Sequence, residues 1–217
     1  MELKGVIFDM DGLIFDTEKL YYEETQKVAD AMSFPYDLDL YLRFLGVSDA
    51  EMWEEYHVIY RDFGADKVRE FIERGHEAIK DRFIAGDVQL KPGVLTMLDY
   101  LDDLGVNRVV ASSNTRPVIE HLLDQAGIAH RFNEIVSAEN VVRAKPDPQI
   151  FIEAMNIMAS EPQTTLVLED SLNGIKAGHA AGIPVFLVPD LLPPTAEMKA
   201  KADRIFTSLA EIPAYLG

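Results

Sequence analysis

The 217-residue chain predicts an α/β fold: a doubly wound parallel sheet core with an α-helical domain inserted after the first strand. Two observations carry this. Short apolar runs alternate with stripes at helical spacing over the second half of the chain, the pattern of strand–helix–strand units. The first such run, Leu3 to Phe8, is followed instead by a long stretch without a strand pattern, residues 17–86.

Leu3 to Phe8 is continuous, apolar and partly β-branched, as a strand buried on both faces requires. Further strands are expected at Arg108 to Ala111, Glu134 to Val136, Thr164 to Leu168 and Pro184 to Val188, with a last short one around Arg204 to Phe206. Between them Val94, Leu98, Leu101 and Leu104, then Val118, Ile119, Leu122 and Leu123, then Phe151, Met155 and Met158 recur at helical spacing. The inserted stretch reads as helices over 17–33, 37–44, 49–63 and 66–85. The third has the stripe Met52, Tyr56, Ile59, Tyr60 and Phe63. The domain boundaries are therefore expected at 1–16 and 87–217 for the core and 17–86 for the helical insert, with Lys91-Pro92-Gly93 marking the return.

Composition narrows the function. The apolar fraction of 48% supports a packed core. The net charge of −17 argues against a nucleic-acid partner, which needs a basic footprint. It also means that an anionic substrate requires a local reversal of the field. The absence of cysteine rules out thiol catalysis and disulfides and fits a reducing cytoplasm. Residues 1–8 are too short for a signal segment. No apolar run approaches the ~18 residues of a membrane span. A cytoplasmic monomer without a membrane partner is the expectation.

Ligands of an open parallel sheet bind beyond the carboxyl ends of its strands. The polar residues there are Asp9 and Asp11, then Ser112, Ser113 and Asn114, then Ser137 onward, then Glu169 and Asp170. Asp9 and Asp11, two apart at a strand end, suit metal binding with nucleophilic attack, or acid/base work. A helix-loop-helix calcium loop is excluded, because glycine stands at the fourth position from Asp9 and not the sixth. Ser112 can donate to a phosphoryl oxygen, or one of Ser112 to Asn114 can cap the helix beginning near Thr115. Lys145 precedes a rigid Pro146-Asp147-Pro148 turn that can hold its ammonium as a fixed counter-charge, with Asp147 capping a helix that starts at Pro148. Glu169 and Asp170 are hard oxygen ligands suited to Mg²⁺, and Asp170 can also cap the following helix.

The order of these elements resembles the haloacid dehalogenase superfamily in its phosphatase branch, which has a Rossmann-like core. Asp9-x-Asp11-Gly12 matches motif I, Ser112 motif II, Lys145 motif III and Glu169-Asp170 motif IV. The strings FDMDGLIFDTE and LEDSLNGIKAGHAAG resemble the members with a helical cap after motif I. The resemblance implies a magnesium-dependent phosphatase acting on a small phosphorylated metabolite. In it Asp9 is the nucleophile, transiently phosphorylated, and Asp11 the general acid/base. The Asp9 side chain, the Asp11 carbonyl and Asp170 hold Mg²⁺, with Glu169 acting through the outer shell. Ser112, with Ser113 and Asn114, binds phosphoryl oxygens, and Lys145 offsets the charge.

Asp11 separates the chain from the family's dehalogenases and phosphonate-cleaving enzymes, which lack that aspartate. The nearest alternative is a sugar phosphomutase resembling β-phosphoglucomutase. Those enzymes carry histidine four residues after the threonine matching Thr17, where this chain has Tyr21. They also carry a cap arginine where Asp49 stands, after Gly46-Val47-Ser48. A catalytically idle binding module is a third reading, disfavoured by the full motif set. No cationic cluster marks the insert, so a monophosphate is expected over a bisphosphate. His57, His76, His121, His130 and His179 show no paired metal spacing.

Overall fold

A computed structural model describes residues 2–44, 49–86 and 88–217, and the side chains of 49 and 50 fall outside the description. The Gly46-Val47-Ser48-Asp49 comparison therefore lies outside the described residues. The chain divides into two compact units, Met1–Asp16 with Val88–Gly217, and Thr17–Asp87.

The first unit is built on β1 (Gly5–Phe8). Every residue of β1 is buried, as its unbroken apolar run requires. The second unit follows, with α1 (Thr17–Met32), α2 (Leu38–Arg43), α3 (Asp49–Ile59) and α4 (Ala65–Ala85). The chain then returns through α5 (Val94–Leu104), β2 (Asn107–Ala111), α6 (Arg116–Gln125), β3 (Glu134–Val136) and α7 (Gln149–Ile157). It continues with β4 (Thr165–Glu169), α8 (Leu172–Ala180), β5 (Val185–Leu187), α9 (Ala196–Lys201), β6 (Arg204–Ile205) and α10 (Ile212–Leu216).

The six strands form one parallel sheet in the order β3-β2-β1-β4-β5-β6. This is the predicted α/β architecture with its helical insert. Phe8 stands opposite Val110 on one side and Leu168 on the other. The residues that follow, Asp9, Ala111-Ser112 and Glu169, therefore leave the sheet at one edge. Ile7, Val109, Val136, Phe151, Val167, Ile175 and Val185 make the core between the sheet and its helices.

Two details of the sequence reading need correction. The expected helix over 49–63 ends at Ile59, and a 3-10 turn at Arg61–Phe63 follows. Gly64, at φ 85°, then redirects the chain into α4. As a result Tyr56 and Tyr60 are buried while Ile59 is exposed. The helix after Lys145 begins at Gln149 with Pro148 as its N-cap residue, one position later than expected. Asp147 still contributes, its Oδ1 accepting from the Gln149 N–H at 3.1 Å.

The second unit is held by aromatic packing. Phe34 stacks on Phe63 and Phe71 with centroids 4.4 and 4.7 Å apart. The Tyr60 hydroxyl, next to this stack, donates to the Pro35 carbonyl at 2.8 Å. Glu24, buried on α1, accepts from Lys27 at 2.7 Å and from Arg82 of α4 at 2.6 Å. No helix among the described residues is long and apolar enough to cross a membrane.

Candidate active site

Asp9 is the first residue beyond β1. Its N–H donates to the Leu168 carbonyl at 3.0 Å and so extends the ladder by one step. Its buried carboxylate meets Lys145, whose Nζ donates to Asp9 Oδ1 at 2.5 Å, to Glu169 Oε1 at 2.8 Å and to the Ala111 carbonyl at 3.2 Å. These three bonds use all three ammonium protons. The Lys145–Pro146 peptide bond is cis.

Glu169, fully buried, is satisfied on both oxygens. Oε2 accepts from the Asp170 N–H at 2.9 Å, the Ser171 N–H at 2.8 Å and the Ser171 hydroxyl at 2.9 Å. The first turn of α8 leaves room for it only because position 174 is glycine. A Cβ on Gly174 would lie 1.7 Å from Glu169 Oε1. Ser171, not Asp170, caps α8, accepting from the Gly174 N–H at 3.1 Å. Asp170 is thus excused from the capping role open to it in the sequence.

Asp11 turns to the loop after β2. Its Oδ2 accepts from Asn114 Nδ2 at 2.7 Å, with the Ser112 hydroxyl at 3.4 Å. Ser112 is buried and accepts from the Asn114 N–H at 3.1 Å, so it orders this loop and does not cap α6, whose N-cap residue is Thr115. Ser113 is exposed and lines a cavity of about 160 Å³ with Lys145, Ala138 and Val141.

Asp9, Glu169 and Asp170 each offer a carboxylate oxygen, all within 4.8 Å of one another. Hard oxygens so grouped suit a small divalent cation. The charge balance points the same way. Burial pushes the Asp9 carboxyl up to about 8, with Glu169 and Asp11 adding to the rise and Lys145 opposing it. Burial alone would lower Lys145, but Asp9 and Glu169 outweigh it and hold the ammonium above its ordinary value. One cation among several carboxylates leaves a surplus of negative charge that a metal ion would neutralise.

Sequence reasoning missed a second, partly buried pair at this edge. Lys91, on the segment returning to the sheet, is ion-paired with Asp190 beyond β5 and lies 3.7 Å from Asp16. The strand-end rule that selected Asp9 and Glu169 applies equally to Val188-Pro189-Asp190. The apolar Val188 and Pro189 concealed it. Burial pushes the Asp190 carboxyl up against the pull of Lys91.

The profile of the haloacid dehalogenase-like hydrolases matches residues 6–188. A phosphorylated carbohydrates phosphatase of Thermotoga maritima is 30% identical over 83% of this chain and 82% of its own length. A β-phosphoglucomutase of Bacillus subtilis is 27% identical over 83% of this chain and 81% of its own. A crystal structure of a Thermotoga maritima protein, assigned provisionally as a β-phosphoglucomutase, superposes with a TM-score of 0.82 at 28% identity. It covers 99% of this chain and 98% of that one. With the sheet, the helical insert and the strand-end carboxylates in agreement, the chain belongs to the haloacid dehalogenase-like hydrolases.

Proposed function

We propose that this enzyme is a magnesium-dependent phosphatase of small phosphomonoesters, with a sugar phosphate as the preferred substrate class. The observation that carries this reading is the ammonium of Lys145 bridging Asp9 and Glu169, with Asp11 held separately by Asn114. Two carboxylates in different surroundings can take different roles. Asp9 is the nucleophile that attacks phosphorus and becomes an aspartyl phosphate. Asp11 gives its proton to the leaving alkoxide and then takes one from the hydrolytic water.

Asp9 and Asp170 would hold Mg²⁺, together with the Asp11 carbonyl, and Glu169, already taken by Lys145 and the 170–171 amides, would act through the ion's outer shell. When bound, the ion supplies charge neutralisation for the phosphoryl group beside these carboxylates. Lys145 supplies the rest and fixes the Asp9 carboxylate in place. Ser112, Ser113 and Asn114 bind phosphoryl oxygens, and in Asn114 the same side chain orients Asp11. The helical unit Thr17–Asp87 is the inserted cap and carries substrate choice. The sugar-phosphate preference is supported by the Thermotoga phosphatase, whose name specifies phosphorylated carbohydrates.

A mutase reading has the Bacillus relative in its favour. Against it, the position of the mutase histidine is Tyr21, whose ring packs edge-on against Phe83 at 5.8 Å. The test is phosphate release from a panel of sugar and nucleoside monophosphates, with Mg²⁺ or EDTA, for the wild type and Asp9→Asn. Hydrolysis that needs Mg²⁺ and falls on the order of 10⁴-fold in the variant is expected. Conversion of β-glucose 1-phosphate to glucose 6-phosphate without net phosphate release would establish the mutase instead.

A further inference from the structure

The Lys91–Asp190 pair lies outside the motif residues yet reaches the same site. The Val188 N–H donates to the Glu169 carbonyl at 2.8 Å, so the chain beyond β5 leaves the sheet beside the acidic loop after β4. The Asp190 side chain is only 3% exposed. Oδ1 is taken by the Lys91 ammonium. Oδ2 is buried and has no hydrogen-bond partner among the described residues.

Gly12 shows where that oxygen points. Its φ is +74°, and a Cβ there would lie 3.2 Å from Asp190 Oδ2 and 2.2 Å from Asp170 Oδ2. Both oxygens therefore face the same side of the motif I turn. A buried carboxylate oxygen without a donor is costly. The cost is removed if a donor arrives with the ligand. A magnesium ion keeps several waters, and those waters are strong donors to neighbouring carboxylates.

We propose that Asp190 is a positioning residue of the cation site: its Oδ2 accepts a hydrogen bond from the water shell of the ion held at Asp9 and Asp170, while Lys91 fixes Oδ1. This rests on the reading of those carboxylates as a Mg²⁺ site. Lys91 also anchors the turn itself. Its N–H donates to the Ile14 carbonyl at 2.8 Å, and the Asp16 N–H donates to the Gln89 carbonyl at 2.9 Å. A role confined to this tie would affect folding and leave cation affinity unchanged.

The experiment is calorimetric titration of the full chain with Mg²⁺, with thermal unfolding in EDTA measured in parallel. The proteins are wild type, Asp170→Asn, Asp190→Asn and the double variant Lys91→Met/Asp190→Leu, which replaces the partly buried pair by apolar groups of similar size. Wild type should bind, and Asp170→Asn should not. Asp190→Asn and the double variant should bind about 10-fold more weakly, with cooperative unfolding retained in the double variant. Wild-type affinity, within twofold, in either of the last two proteins overturns the role of Asp190 alone. Absence of binding by the wild type, or full binding by Asp170→Asn, overturns the cation reading and this inference with it.

Discussion

The sheet edge and the helical unit solve the problem of burying polar groups in opposite ways. At the sheet edge one ammonium joins segments far apart in sequence, Lys145 to Asp9, Ala111 and Glu169. The carboxylates there, Asp9, Asp11, Asp16, Glu169, Asp170 and Asp190, outnumber the two cations, Lys145 and Lys91. In the helical unit the interior is largely aromatic, Phe34, Tyr36, Tyr56, Tyr60 and Phe71, with one buried carboxylate among the described residues, Glu24, matched by two cations. The two regions therefore differ in the change they tolerate. Directional charged contacts fix residue identity at the sheet edge. Aromatic packing asks for volume and shape, which many residues satisfy, so the helical unit tolerates substitutions that the sheet edge does not.

The largest expected effect comes from removing the shared cation. Lys145→Met leaves the Asp9 and Glu169 carboxylates buried without their counter-charge, which should destabilise the fold by about 3–5 kcal/mol and abolish turnover. Thermal unfolding and phosphate release check both. Retained activity would break the contrast between the two regions. Phe71→Ala should cost a similar or smaller amount, about 3 kcal/mol, by opening a cavity beside Phe34. Here denaturant unfolding should show the loss while Mg²⁺ affinity by calorimetry stays at the wild-type value. A matching loss of metal affinity would mean that the two regions do not answer separately.

A smaller effect sharpens the charge argument. Burial raises the Asp9 carboxyl to about 8 in the metal-free protein, so a proton occupies it below that pH. A cation must displace this proton. Mg²⁺ affinity should therefore rise by up to about tenfold per pH unit as pH climbs toward 8, then level off above it. Calorimetry between pH 6 and 9 measures this directly, and a flat profile would place the Asp9 carboxyl in its ionised form throughout.

Asp9, Ser112 and Glu169 were legible because each stands at or directly after the end of an apolar strand run, where a parallel sheet gathers its ligands, while Lys145 was marked only by its Pro146-Asp147-Pro148 turn. Asp9 after Phe8 and Glu169 at the end of Thr165–Glu169 needed no tertiary information. The Lys91–Asp190 pair was not legible, since its partners stand 99 residues apart and neither lies in a motif. The end of α3 was hidden because Phe63 continues the apolar stripe of Tyr56 and Tyr60. Only the turn into Gly64 shows that Phe63 reaches Phe34 from outside the helix. Ser171 displaced Asp170 as the α8 cap because the two adjoin, and residue type alone does not choose between neighbouring capping residues.

On the proposed function, Asp9 carries the phosphoryl group during turnover. This is tested most directly by quenching the enzyme in acid during steady-state hydrolysis of a good substrate and mapping the protein by mass spectrometry. The expected result is a hydroxylamine-labile phosphoryl adduct on the peptide containing Asp9, absent in Asp9→Asn and absent without Mg²⁺. Turnover with no adduct at any quench time, or an adduct at another residue, would contradict it.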